Sequence, residues 1–201
     1  MSAVRRALRQ GPLAQEALYP LSYVFPPVSD FFVDPTLRHH DSLRKDLDQP
    51  AREFETGIMH FDNDIPSRGG YSVYVPEYYS ADRAWPLIVA LHGGGGHGRS
   101  FLWSWLRDAR SHGAIIVAPT AKGSTWALNG DDVDSPNLES IVASIQKTWR
   151  LDAKRLLMTG MSDGGTFCYV SGLDTGSLFT HLAPVSASFH PLLAEMADDN
   201  R

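Results

Sequence analysis

The stretch Leu156-Leu157-Met158-Thr159-Gly160-Met161-Ser162-Asp163-Gly164-Gly165-Thr166-Phe167-Cys168-Tyr169-Val170 decides how this chain folds. Its opening residues read as a strand and its closing residues continue a helix. Between them stands G-x-S-x-G with one added glycine. A serine so placed sits on a tight strand-to-helix turn in a strained backbone conformation. Small residues two before and two after it let neighbouring backbone approach closely, and the helix that follows aims its first N–H groups at the same point. Ser162 is thus the candidate nucleophile. An ordinary strand–turn–helix with an incidental serine leaves the same short pattern, so the surroundings have to decide.

The surroundings offer a second motif. Pro86 to Leu91 is a continuous apolar run, as expected of a strand buried on both faces. It leads directly into His92-Gly93-Gly94-Gly95-Gly96-His97-Gly98. Four successive glycines cost backbone entropy. A loop whose N–H groups must come within about 3 Å of a developing oxyanion gives a reason for them. Gly94 or Gly95 is the expected donor from this loop, and the N–H of Asp163 is the other. A phosphate cradle is the competing reading. However, neither G-x-x-x-x-G-K-[ST] nor G-x-G-x-x-G with a suitably spaced acid is present, and the nearest lysine, Lys122, lies a strand away. His92 reads as a residue that packs and orients the loop, and His97 as one facing the substrate. Trp126, beyond a strand end, reads equally as a pocket wall or as a buried anchor.

Working outward, Tyr71–Val75 alternates like a strand, and Ala114–Ala118, Arg155–Thr159 and His181–Ser186 read as buried strands. Helices are expected over Phe101–Ser111, with Ser100 as N-cap, over Asn137–Trp149, over Asp163–Gly172 and from Pro191 onward. Trp103 and Trp105 cannot share one helix face, so one of them belongs near the surface. Strands alternating with helices imply an α/β fold with a mostly parallel sheet and helices on both faces. Residues 1–52 read as an irregular arm rich in proline and aromatics, and 53–201 as the folded domain. Five interspersed aromatics, Tyr19, Tyr23, Phe25, Phe31 and Phe32, are too many for a solvated linker, so the arm should pack on a surface.

The 201 residues are 43% hydrophobic and 20% charged, an ordinary globular composition. A formal net charge of -5 gives no electrostatic reason to expect nucleic acid as a partner. No apolar run is long enough to span a bilayer. The N-terminal arginines, with no acid before Glu16, read as a short exposed amphipathic helix in preference to an organellar transit segment, and the lack of an apolar core behind them argues against a secretory signal. The single cysteine, Cys168, precludes an internal disulfide, suits the cytoplasm and reads as a small core residue. Asp131-Asp132-Val133-Asp134 lacks the glycine and glutamate of a calcium loop, so helix capping is expected there and no metal.

The two glycine motifs together resemble those of the α/β-hydrolases, and more narrowly the phospholipase/carboxylesterase and polyhydroxybutyrate-depolymerase-like esterases. The likeness runs from about Glu53 to Pro191. It includes Tyr71–Pro76, Trp85–Gly93, Ile116–Pro119, Asp131–Val133 and Leu182–Ser186. It implies a serine hydrolase that cleaves small-molecule carboxylic esters through an acyl-enzyme on Ser162, with no cofactor. In that fold the acid and the histidine follow the nucleophile in the chain. Here the chain reads as lacking the last strands, and with them the usual places for both. His190, just past the strand after the nucleophile helix, is the remaining candidate base; His181 opens that strand and reads as structural. Two expectations follow. One is an esterase-type chain truncated at its C-terminus. The other is a non-catalytic α/β-hydrolase fragment that keeps the elbow but lacks a working base. A prolyl-oligopeptidase-type peptidase shares the elbow, but none of its other parts are visible. An open apolar sheet edge would favour self-association.

Overall fold

The computed structural model describes residues 3–49 and 53–189. Its centre is a six-stranded sheet in the order β1-β2-β4-β3-β5-β6. The strands are β1 (Gly57–Phe61), β2 (Tyr71–Val75), β3 (Trp85–Leu91), β4 (Ile115–Pro119), β5 (Leu151–Met161) and β6 (His181–Val185). β1 and β2 pair antiparallel, as do β2 and β4, while β4, β3, β5 and β6 run parallel.

Strand periodicity sorts the core into two layers. On β4, Ile115 and Val117 face one way, with Val73, Val75, Leu87, Val89 and Leu91. They pack against Leu138, Ile141, Val142 and Ile145 of helix α6 (Ser135–Thr148) and Phe167 and Cys168 of helix α7 (Asp163–Gly172). Ile116 and Ala118 face the other way, with Tyr74 and Ala90, onto Leu102, Trp103, Leu106 and Ala109. Each large side chain so buried contributes about 1.5–3 kcal/mol.

The second layer also holds residues from the N-terminal segment. The start of that segment forms the expected helix, α1 (Ala3–Leu18), and the stretch read as irregular continues as a 3-10 turn (Tyr19–Tyr23), α2 (Pro26–Phe31) and α3 (Asp41–Leu47). Prolines 20 and 26 stand at the starts of their elements, where a missing N–H costs nothing; only Pro12 lies inside a helix. Tyr19 and Phe32 are buried with Trp103 and Tyr74. Below them, Glu77 and Arg110 form a buried ion pair at 3.2 Å. Both Tyr19 and Tyr74 donate hydroxyl bonds to Glu77, and Arg110 donates to the carbonyl and hydroxyl of Ser29.

Three further expectations change. The helix expected over Phe101–Ser111 is broken into α4 (Gly98–Phe101), a 3-10 turn (Leu102–Ser104) and α5 (Leu106–His112). Its cap is His97, not Ser100: the His97 ring accepts from the Arg99 N–H. The break lets Trp103 point inward while Trp105 stays half-buried. β6 is not buried on both faces: His181, Ala183 and Val185 are exposed, because among the described residues nothing covers that side. The helix expected from Pro191, and His190 with it, lie outside the described residues.

Candidate active site

Ser162 joins the end of β5 to the start of α7 with φ 54° and ψ -117°. Non-glycine residues rarely adopt such a φ, and they hold it only where the surroundings over-determine the turn. Two contacts do so here. The Ser162 N–H donates to the carbonyl of Val185 at the end of β6 (2.9 Å), and its own carbonyl accepts from Thr166 N–H (2.8 Å) in the first turn of α7. Close packing does the rest. A Cβ on Gly164 would lie 2.5 Å from the carbonyl oxygens of Leu91 and His92. The helix N-terminus can therefore sit against the end of β3 only because position 164 has no side chain. The serine is exposed, with its side chain at the C-terminal edge of the parallel strands.

The glycine loop lies beside it. A Cβ on Gly93 would fall 3.7 Å from Ser162 Cβ, and one on Gly94 would collide with the Asp163 carboxylate. That carboxylate is held by the Thr125 hydroxyl at 2.7 Å. As the first residue of α7, Asp163 has an N–H without an intrahelical acceptor. The Gly94 N–H has no acceptor among the described residues. Gly95 differs: with φ 67° it turns the loop, and its N–H donates to the Ser124 carbonyl at 3.0 Å. Of the two loop glycines expected as oxyanion donors, Gly94 is free to serve and Gly95 is committed elsewhere.

Behind the loop, His92 and Trp126 act as one brace. Trp126 is buried; its indole N–H donates to the His92 carbonyl at 2.7 Å, and its ring stacks on Phe167 with centroids 5.5 Å apart. It anchors the loop from below, and its ring is not among the side chains that line the cleft along the glycine loop. His92 accepts the Ala121 N–H at Nε2 (3.1 Å) and donates Nδ1–H to the Gly93 carbonyl (2.7 Å). Burial, above all, holds its pKa down to about 4. Both ring nitrogens are occupied and the ring is neutral, so His92 is not placed to take a proton from Ser162. His97 is also engaged, donating Nε2–H to the Ser67 carbonyl at 2.9 Å, although its ring reaches the cleft beside the loop. His181 sits at the far end of β6 from the elbow, opposite Leu157. Burial pushes the Cys168 thiol up to about 12, so it is inert.

Asp134, missed as a site element by sequence reasoning, staples the loop that carries Trp126. Its carboxylate accepts from the N–H groups of Lys122 and Ala127, both at 2.9 Å, while Asp132 supplies the cap of α6. Among the described residues no group of His, Cys, Asp and Glu could hold a metal ion.

A strained serine between a parallel strand and a helix, facing a glycine loop that leaves the neighbouring strand, settles the architecture. The chain folds as an α/β-hydrolase. Solved structures with the same fold include a thermostable esterase (TM-score 0.55, 22% identity, 71% of this chain and 44% of that one). Another is an acetyl xylan esterase from Aspergillus awamori (TM-score 0.58, 16% identity, 72% and 56%). A third is the fluorophosphonate-binding serine hydrolase FphF of Staphylococcus aureus (TM-score 0.53, 21% identity, 67% and 58%). Among curated proteins, this chain is 31% identical to a probable feruloyl esterase C of Aspergillus oryzae over 107 residues, 49% of this chain and 39% of the relative. It is 27% identical to that of Aspergillus terreus over 123 residues, 58% and 45%. The chain thus spans less than half the length of these relatives. No family model matches it. Among the described residues no helix is long and apolar enough to cross a membrane.

Proposed function

We propose that this chain carries the nucleophile and oxyanion hole of a serine hydrolase that cleaves carboxylic esters through an acyl-enzyme. The observation that carries the reading is the backbone of Ser162, held at φ 54° beside the glycine loop. Ser162 Oγ attacks the ester carbonyl. The oxygen that gains charge is held by the N–H groups of Asp163 and Gly94, which have no acceptor among the described residues. Collapse of the tetrahedral adduct expels the alcohol, and water later releases the acid. The proton needs a base. His92 and His97 are committed to the loop, so His190, in the segment after β6, is the candidate within this chain.

The relatives are named as esterases, which agrees with this chemistry. The buried, free Cys168 suits the cytoplasm as the compartment. The test is turnover of p-nitrophenyl acetate and butyrate by the chain, by Ser162→Ala and by His190→Ala. Turnover lost in Ser162→Ala supports the reading, and full activity of His190→Ala removes His190 from it. The competing reading, a fragment that keeps the elbow without a working base, draws on the absence of any histidine bonded to Ser162 among the described residues. It predicts no turnover from the folded chain.

A further inference from the structure

A cleft of about 630 Å³ opens along the glycine loop. One wall is the loop itself with Met161, the residue before the nucleophile. The others are Phe101 of α4, Ile65 from the β1–β2 connection, and Pro12 and Leu13 of α1. Leu13, Ile65 and Met161 are 49%, 55% and 47% exposed. Three segments distant in sequence thus bring large apolar side chains to one space and leave them uncovered there. Scattered exposed apolar residues need no explanation, but convergence on a concave surface beside a nucleophile does.

One side chain ties the outer walls together. Arg99, at the start of α4, donates to the Glu16 carboxylate through Nε (3.1 and 3.3 Å) and through Nη2. Its Nη1 donates to Asp64. Glu16 stands three residues after Leu13, on the same face of α1, and Asp64 is next to Ile65. The His97 bond to the Ser67 carbonyl secures the same connection to the glycine loop.

We propose that this cleft takes the apolar acyl group of the ester, that Leu13 of α1 limits its length, and that Arg99 is the positioning residue that holds α1 and Ile65 in place. This rests on Ser162 being the nucleophile. It assigns to the N-terminal helix a role in substrate selection that the elbow and loop do not imply.

The experiment compares p-nitrophenyl hexanoate with p-nitrophenyl acetate, in the full chain and in Leu13→Trp, Arg99→Gln and the control Leu21→Trp, which is exposed and away from the cleft. A further arm replaces the leaving group by 4-methylumbelliferone at constant acetyl. Leu13→Trp should lower the hexanoate-to-acetate ratio of kcat/KM by at least about tenfold. Arg99→Gln should lower it through KM with little change in kcat, and Leu21→Trp should leave it unchanged. A ratio unmoved by Leu13→Trp, or a change that follows the leaving group, overturns the proposal. A second measurement does not need turnover. In Ser162→Ala, hexanamide should shift the methyl resonances of Ile65 and Met161, and adding Leu13→Trp should abolish the shift. No shift rejects the cleft. A shift in a protein that hydrolyses neither ester keeps the cleft and rejects the catalytic reading alone.

Discussion

The Ala121 N–H donates to His92 Nε2 at 3.1 Å, and this bond decides which nitrogen of the ring carries the proton. With Nε2 accepting, Nδ1 holds the hydrogen that binds the Gly93 carbonyl. A neutral histidine thus fixes both the carbonyl at the head of the glycine loop and the backbone beyond β4. A protonated one could not accept from Ala121.

That arrangement makes stability depend on pH. The folded pKa of His92, about 4, lies below its ordinary 6.5 because burial disfavours the charge. Between these values the unfolded chain binds a proton that the fold refuses. The His92 contribution is therefore complete above about pH 6.5 and lost as pH falls towards 4, by at most about 3 kcal/mol. Urea unfolding at pH 7.5, 5.5 and 4.5 should show the decline. His60 and His97 are also held low by burial, so NMR titration of the His92 ring isolates the site. A midpoint near the ordinary value would contradict the assignment.

The strained turn predicts an unusual pair of variants. Ser162→Gly removes the cost of a positive φ and should stabilise the fold by about 1 kcal/mol after the entropic penalty of glycine. At this chain length that raises Tm by about 2–4 °C. Ser162→Ala keeps the strain and should leave Tm nearly unchanged. Equal melting of the two variants would mean that the turn is relaxed in solution.

The N-terminal helices depend on a buried charge pair. Arg110→Met leaves Glu77 buried without its cation and should cost about 3–5 kcal/mol. It should also expose residues 19–32 to limited proteolysis, since Arg110 holds Ser29 and Glu77 holds Tyr19. Adding Glu77→Gln should recover part of the loss. Unchanged proteolysis in Arg110→Met would show that aromatic packing alone docks the segment.

Along the outer side of β6, Val185 is 46% exposed, and Phe189 just beyond it is 51% exposed. Among the described residues the strand pairs only with β5. An open apolar edge of this kind recruits further strands. The 201-residue chain should elute above monomer size in size-exclusion chromatography, and Val185→Lys should shift it towards the monomer. A clean monomer at high concentration would count against an available edge.

Much of the parallel core was legible because Leu87–Leu91 and Ile115–Ala118 are unbroken apolar runs stopped by glycine and proline. The elbow and its loop were legible because each requires the other. The first N-terminal helix was legible from its arginines, but the turn and the helix after it were not, since prolines 20 and 26 signal a break and a helix start equally well. β1 was missed because Gly57-Ile58-Met59-His60-Phe61 alternates weakly. An apolar run also cannot show what covers it, which is why β6 read as buried. The Glu77–Arg110 pair and the choice of Gly94 over Gly95 depend on contacts between distant segments, which no local pattern encodes.

The most direct test of the central claim is covalent labelling of Ser162. The folded chain is incubated with a fluorophosphonate probe, digested, and mapped by mass spectrometry. The site described here predicts a single adduct on Ser162 that disappears in Ser162→Ala and is slowed when Gly94→Pro removes the oxyanion donor. A folded chain that takes up no probe, or takes it up equally well without the Ser162 hydroxyl, would contradict it.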